Sequence, residues 1–255
     1  MSSWDPDKYM KFGNERGLPS SDLINSLSDI SPERIMDIGC GPGNSTKKLA
    51  ERFKSAEIIG IDSSVEMLLK AEKALPGAKF MKCNVPDGLC DIPGKFDLIF
   101  SNACIHWIPD HPTLLQAVFN KLNSGGILAV QIPLTDRALF YRILNRLVNA
   151  EKWQKLSNIE NFHSLKPEEY YDELSVLSGN FRIWETVYYH TVASAGEIID
   201  WYRGSGLRPY LEALSDGEKN EFLSGLTSAV DENLTAQKDG RIILKMPRLF
   251  FTAVK

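Results

Sequence analysis

The chain has 255 residues, of which 43% are hydrophobic and 24% charged, and a formal net charge of −4. That length allows one large domain or a core carrying a smaller cap, and the acidic balance speaks against a nucleic-acid partner. No apolar run reaches the roughly 18 residues that cross a bilayer, so no membrane partner is expected. The N-terminal Met1-Ser2-Ser3-Trp4-Asp5-Pro6 lacks the basic start and apolar core of a secretory signal. Cys40, Cys83, Cys90 and Cys104 show neither C-x-x-C pairing nor metal-ligand spacing. They read as reduced thiols of a cytoplasmic protein that holds no metal.

The first strand is expected at Arg34 to Ile38, followed by a helix over Ser45 to Phe53. Between them runs Asp37-Ile38-Gly39-Cys40-Gly41-Pro42-Gly43-Asn44. Alternating glycines let backbone pass close to a ligand, and the next helix offers unpaired N–H groups. A dinucleotide fingerprint reads G-x-G-x-x-G, because pyrophosphate sits on that helix start. Here Asn44 stands in place of the third glycine, and Asp37 lies two residues before the first. A carboxylate would repel pyrophosphate and attract the ammonium and sulfonium of S-adenosylmethionine, so the loop favours a cationic cofactor.

The second strand, Glu57 to Ile61, ends at Asp62, 19 positions after Gly43. An acid about twenty residues past such a loop can hold a ribose diol; alone it reads equally as a solvated turn acid. Ser63 and Ser64 supply the N-cap of a helix from Val65 to Ala74, running through Met67. A third strand at Lys79 to Met81 precedes Asn84-Val85, where the amide either pairs with an adenine edge or makes a turn. The fourth strand, Phe96 to Phe100, leads to Asn102-Ala103-Cys104-Ile105-His106-Trp107 at the sheet end. His106 is there a substrate contact or a structural histidine, and Trp107 a pocket wall or a core residue. A helix at Pro112 to Leu122 and a strand at Gly126 to Ile132 complete an alternation that indicates right-handed crossovers and a parallel sheet.

The alternation then stops. Asp136 to Gln154 reads as one long helix, with Leu139, Ile143, Leu147 and Ala150 at helical spacing, and Pro167 opens another that ends before Gly179. Phe181 to Tyr189 and Arg241 to Val254 are rich in β-formers, with Pro247 marking a bulge, bend or edge. They are expected as an antiparallel pair closing a seven-stranded sheet. Ala195 to Asp239 reads as helical, broken at Gly204, Gly206 and Gly217. The expected fold is α/β, a Rossmann-like, mostly parallel sheet with helices on both faces. One domain spans 1–255, its core at about 1–134, 166–190 and 241–255. Helical cap insertions at about 135–165 and 191–240 lie over the cofactor end and supply the acceptor pocket. His163, Tyr188, Arg203, Arg208 and Arg248 are its candidate substrate contacts; an arginine fork suits a carboxylate, though scattered surface arginines are the plainer reading of each.

These segments together resemble class I S-adenosylmethionine-dependent methyltransferases, and among them the trans-aconitate methyltransferases, over nearly the whole chain. The resemblance rests on Trp4-Asp5-Pro6 with Tyr9 and Phe12, Gly39 to Thr46, and Gly60 to Ser64. It continues through Asn102-Ala103, Trp107 to His111, Ala129-Val130-Gln131 and Tyr170 to Asp172. Tyr188 to His190, Ile198 to Trp201, Gly206 to Tyr210 and Pro247 to Phe250 complete it. It implies that Asp37, Gly39, Gly41, Asp62, Asn84 and Asn102 line S-adenosylmethionine and that Tyr9 and Phe12 close over it; Cys40, Asn44, Ser63, Met67 and Val85 are further cofactor-binding candidates. The chain departs from the pattern at Asn84 (commonly aspartate), at Pro133-Leu134-Thr135 (a more polar segment) and at His106 (often glutamine).

The reaction implied is methylation of a carboxylate of a small polycarboxylic acid, giving a methyl ester and S-adenosylhomocysteine. A carboxylate is ionised at neutral pH and needs no base, so His106 and Trp107 serve as positioning candidates. A second reading keeps the donor and takes a hydroxyl or carbon acceptor, with His106 as base. A third is a nucleotide-binding module without catalysis, or a nicotinamide oxidoreductase, which Asp37 and Asn44 argue against. The expected assembly is a monomer or weak homo-oligomer.

Overall fold

A computed structural model describes residues 13–27, 29–159 and 162–255. Tyr9 and Phe12 lie outside the described residues. Seven strands form one sheet in the order β3-β2-β1-β4-β5-β7-β6. They are β1 (Arg34–Ile38), β2 (Glu57–Asp62), β3 (Lys79–Lys82), β4 (Phe96–Asn102), β5 (Leu122–Pro133), β6 (Phe181–Val192) and β7 (Ile242–Val254). β1 pairs in parallel with β2 and β4, as do β2 with β3 and β4 with β5. β7 runs antiparallel to β5. The central strands are near-continuous apolar runs because both faces are covered; Ile35, Met36, Ile38, Leu98, Ile99 and Phe100 are all buried.

The chain divides into two compact units. The first holds Gly17–Pro133, Phe162–Thr186 and Arg248–Lys255. In it, helices Asn44–Arg52, Val65–Ala74 and His111–Asn120 follow their strands at crossover spacing. The helix Gly13–Asn25 is fastened to the helix after β1 through Lys48, whose ammonium donates to the Gly17 carbonyl and to the Ser20 and Ser21 hydroxyls. Gly60 lets β2 pass under Phe80, whose ring would meet a Cβ at 2.7 Å.

The second unit is built mainly from residues 134–159 and 187–247. Helices Leu139–Val148, Ala195–Arg203 and Asp216–Glu232 bury Phe140, Ile143, Leu144, Ile198, Phe222 and Leu226 in a core of their own. Phe140 stacks on Tyr202 with ring centroids 3.8 Å apart, and Trp153 meets Phe222 edge-on at 5.1 Å.

Three expectations are corrected. The single helix over Asp136 to Gln154 is three pieces: a 3-10 turn at Thr135–Arg137, the helix Leu139–Val148, and a 3-10 turn at Glu151–Leu156. Ala138 and Ala150 are extended, at ψ 125° and 146°, which breaks a helical spacing that the side chains alone preserve. Gly217 is no break but lies in the first turn of Asp216–Glu232; the preceding Ser215, with Glu218, forms the capping box that starts that helix. Leu122 belongs to β5 rather than to the preceding helix, because Gly125 (φ 76°) and Gly126 bend the strand's start back alongside β4. Pro247 sits just past the end of the β5–β7 ladder, and its carbonyl accepts from Leu134 N–H.

Leu226→Ala, at a fully buried position, is expected to cost about 2–5 kcal/mol. Val176→Ala, at 83% exposure, is expected to stay within about 0.5 kcal/mol of the parent. Urea unfolding of the two variants compares them directly.

Candidate functional site

The site is built at the carboxyl ends of β1, β2 and β4. Asp37 is the penultimate residue of β1 and is fully buried. Its Oδ2 accepts from the Ser45 and Thr46 hydroxyls, each at 2.7 Å, which ties the strand to the first turn of the next helix. Its Oδ1 is buried with no hydrogen-bond partner. Burial raises its pKa to about 6, against the opposing effect of the two hydroxyls, and Asp62 adds a smaller push upward.

Gly39, Gly41 and Gly43 have φ of 69°, 54° and 92°, a region that side chains disfavour. A Cβ on Gly39 would overlap the Cys104 side chain, whereas one on Gly41 would meet nothing within 4 Å. Gly41 is therefore required by its backbone and opens onto free space. Asp62 locks the loop: its Oδ2 accepts from Gly41 N–H and its Oδ1 from Ser64 N–H, both at 2.9 Å. A carboxylate has about four acceptor positions, so Asp62 keeps capacity for hydroxyl donors. Ser64, not the exposed Ser63, caps the helix Val65–Ala74 by accepting from Met67 N–H at 3.3 Å. Burial pushes the Cys40 thiol up, and that of Cys104 to about 12, so both stay protonated.

Asn44 and Asn84 are exposed, and the Asn84 carbonyl accepts from Gly88 N–H, closing the turn after β3 beside half-buried Val85. At the end of β4, Asn102 Oδ1 is buried without a partner. Ala103 follows at φ 51°, with its N–H donating to the Gln131 carbonyl at 2.9 Å. The 3-10 turn Ile105–Trp107 then presents His106 and Trp107. Phe162 completes a three-ring cluster with them, its centroid 5.3 Å from His106 and 4.8 Å from Trp107. His163 N–H donates to the His106 carbonyl at 2.9 Å.

His106 is only 4% exposed, and burial, with help from Arg248 and His111, depresses its pKa to about 3. It is neutral at physiological pH. A neutral imidazole held this way brings no positive charge to a polyacid and is a poor base for the hydroxyl-acceptor reading. Arg248 lies close enough on β7 to act on it electrostatically. Among the described residues no group of His, Cys, Asp or Glu side chains gathers to hold a metal, and no helix is long and apolar enough to cross a membrane.

The structure thus assembles Asp37, the glycine loop, Asp62, Asn102, His106, Trp107, His163 and Arg248 in one unit. Tyr188, Arg203 and Arg208 belong to the other. There Tyr188 stacks with His190 at 6.3 Å, Arg203 pairs with Asp200 at 3.8 Å, and Arg208 Nε with Glu212 at 2.7 Å. Sequence reasoning passed over four participants. Ser45 and Thr46 read only as helix starters, though hydroxyls eight and nine positions after a strand-end acid suit a β-loop-α turn. Phe162 gave no signal. Gln131 was a polar residue in an apolar strand, which is itself the clue.

Residues 31–196 match the family model described as a methyltransferase domain. The chain belongs to the methyltransferase family. It is 37% identical to trans-aconitate 2-methyltransferase of Rhodopseudomonas palustris (strain BisB5), covering the whole of both chains. The protein of the same name from Yersinia pestis (strain Pestoides F) is also 37% identical, over 99% of this chain and 98% of its own. Among solved structures, the YcgJ protein of Bacillus subtilis has a TM-score of 0.60 at 17% identity, over 93% of this chain and 98% of the other. The plantazolicin methyltransferase BpumL gives 0.54 at 18% identity, over 98% and 88%. These two likenesses establish the fold, the mostly parallel seven-stranded sheet expected from the sequence.

Because its pKa in the fold exceeds the ordinary value, Asp37 favours folding below pH 3.8, and that contribution is lost as pH rises through about 6. The ionised group then costs on the order of 3 kcal/mol. Asp37→Asn is therefore expected to hold or raise the unfolding temperature at pH 7.5. The same change should weaken S-adenosylhomocysteine binding at least about tenfold by calorimetry.

Proposed function

We propose that this methyltransferase transfers a methyl group from S-adenosylmethionine to a carboxylate of a small, trans-aconitate-like polycarboxylic acid, forming a methyl ester. The observation that carries the cofactor assignment is the unpartnered Oδ1 of fully buried Asp37 beside the open backbone at Gly41. Pyrophosphate would worsen that uncompensated charge, whereas an ammonium or sulfonium relieves it. Asp37, Gly39, Cys40, Gly41 and Asn44 would hold the methionine portion together with Asn102. Asp62, Ser63 and Met67 would hold the ribose, and Asn84 and Val85 the adenine. S-adenosylmethionine supplies an electrophilic methyl on a sulfonium.

The acceptor assignment follows the full-length likeness to the trans-aconitate 2-methyltransferases, supported by the neutrality of His106. A carboxylate needs no proton removed, so the chain's task is to hold one oxygen in line and keep water away. Buried His106 with the Trp107–Phe162 wall suits that task. Arg248 supplies a local cation, which at about 4 Å contributes on the order of 4 kcal/mol at an effective dielectric near 20. His163, Tyr188, Arg203 and Arg208 remain acceptor candidates of lower rank, since the two arginines already face carboxylates. A cytoplasmic location, a monomer or weak homo-oligomer, and no nucleic-acid partner accompany this reading.

A screen of small di- and tricarboxylic acids with labelled donor, read by mass spectrometry, should show the gain of one methyl with trans-aconitate among the best acceptors. Methylation only of alcohols or amines would overturn the assignment. With cofactor and acceptor saturating, the rate should stay flat from pH 8 to 6.5, because His106 does not titrate there; a tenfold fall would restore it as a base.

A further inference from the structure

The ends of β4, β5 and β7 carry polar side chains on one side of the sheet. Gln131 of β5 stands opposite Asn102 of β4 and Phe250 of β7, and Pro133 stands opposite Arg248. Alternate residues of a strand share a face, and so do directly paired neighbours. Asn102, Gln131 and Arg248 therefore occupy one face at the strand ends. The Gln131 carbonyl accepts from Ala103 N–H, at the start of the turn that delivers His106.

Gln131 is 1% exposed and its Nε2 has no hydrogen-bond partner; the same holds for Nδ1 of His106. Each such buried orphan costs stability, and native folds tolerate few. An apolar residue at position 131 would suit the surrounding strand better. Two buried orphans, one an obligate donor, on a strand end and on the turn hydrogen-bonded to it, mark a place prepared for an oxygen ligand.

Charge decides which oxygen. A carboxylate that accepts a methyl group loses its negative charge on the way to the ester. A guanidinium bound to it would stabilise the reactant more than the transition state and slow the reaction. A neutral amide and a neutral imidazole orient it with a smaller penalty, and a cation beside them can bind a second carboxylate whose charge does not change. We infer that Gln131 and His106 grip the carboxylate that is methylated, while Arg248 binds a second carboxylate of the same acceptor. This rests on the polycarboxylate reading above. One carboxylate oxygen bonds to the methyl carbon as the carbon–sulfur bond breaks, the bonding pair stays on sulfur, and no proton moves.

The test uses the full chain with Gln131→Met, Gln131→Glu and Arg248→Gln. Calorimetry with trans-aconitate in the presence of S-adenosylhomocysteine reads acceptor binding without turnover; kinetics and thermal unfolding are measured alongside. Gln131→Met should hold or raise the unfolding temperature and leave S-adenosylhomocysteine affinity intact. It should weaken trans-aconitate binding and lower kcat, each about tenfold. Gln131→Glu, which sets carboxylate against carboxylate, should lose about a hundredfold or more in kcat/KM. Arg248→Gln should raise the acceptor Kd about tenfold while kcat stays within about threefold. Unchanged binding and kcat in Gln131→Met would overturn the inference, as would a joint loss of stability and S-adenosylhomocysteine affinity. If the parent protein neither binds nor methylates any polycarboxylate, the acceptor reading itself fails, whatever the variants do.

Discussion

The buried carboxylate of Asp37 is the interaction on which the rest of the site depends. Two hydroxyls from the following helix satisfy one of its oxygens and leave the other bare. The hydroxyls fix the angle at which β1 hands over to that helix, and hence the path of the glycine loop between them. The bare oxygen leaves a negative charge with no hydrogen-bond partner among the described residues. A strand-end acid in this position selects for a cationic ligand by making every anionic one worse. Asp62 completes the arrangement, because the same carboxylate that bonds the loop at Gly41 also bonds the cap at Ser64.

Electrostatics at the acceptor end is equally local. The formal charge of −4 is screened over about 8 Å at physiological salt and decides little about which anion binds. What matters is a division of labour within a few residues. His106 is held neutral by burial, and Arg248 carries a permanent charge beside it. Methyl transfer to a carboxylate extinguishes charge, so a neutral seat for the reacting group and a charged one for a bystander is the economical solution.

Much of this was legible in the sequence because the signals are short-range. The strand-loop-helix passage from Arg34 to Arg52 and the Asp62 turn depend on neighbouring residues alone, and their elements fall within a residue or two of expectation. The late strands were equally visible from their β-formers, although β6 runs on to Val192. What escaped depends on backbone states or distant partners. Ala138 and Ala150 interrupt a helix without any proline or glycine to announce it. The depressed basicity of His106 arises from burial under Phe162 and Trp107 and from Arg248, more than a hundred residues away. Gln131 was visible as a polar residue in an apolar strand, but its meaning rests on an amide nitrogen found buried in the sheet without a partner.

The most direct measurement is the titration of the Asp37 carboxyl carbon by NMR, with the residue assigned by comparison with Asp37→Asn, in the free protein and with S-adenosylmethionine. A lone buried carboxylate awaiting a cation should titrate near 6 in the free protein and move to lower pH when the cofactor binds. An ordinary value of about 4 that stays put on addition of the cofactor would contradict it.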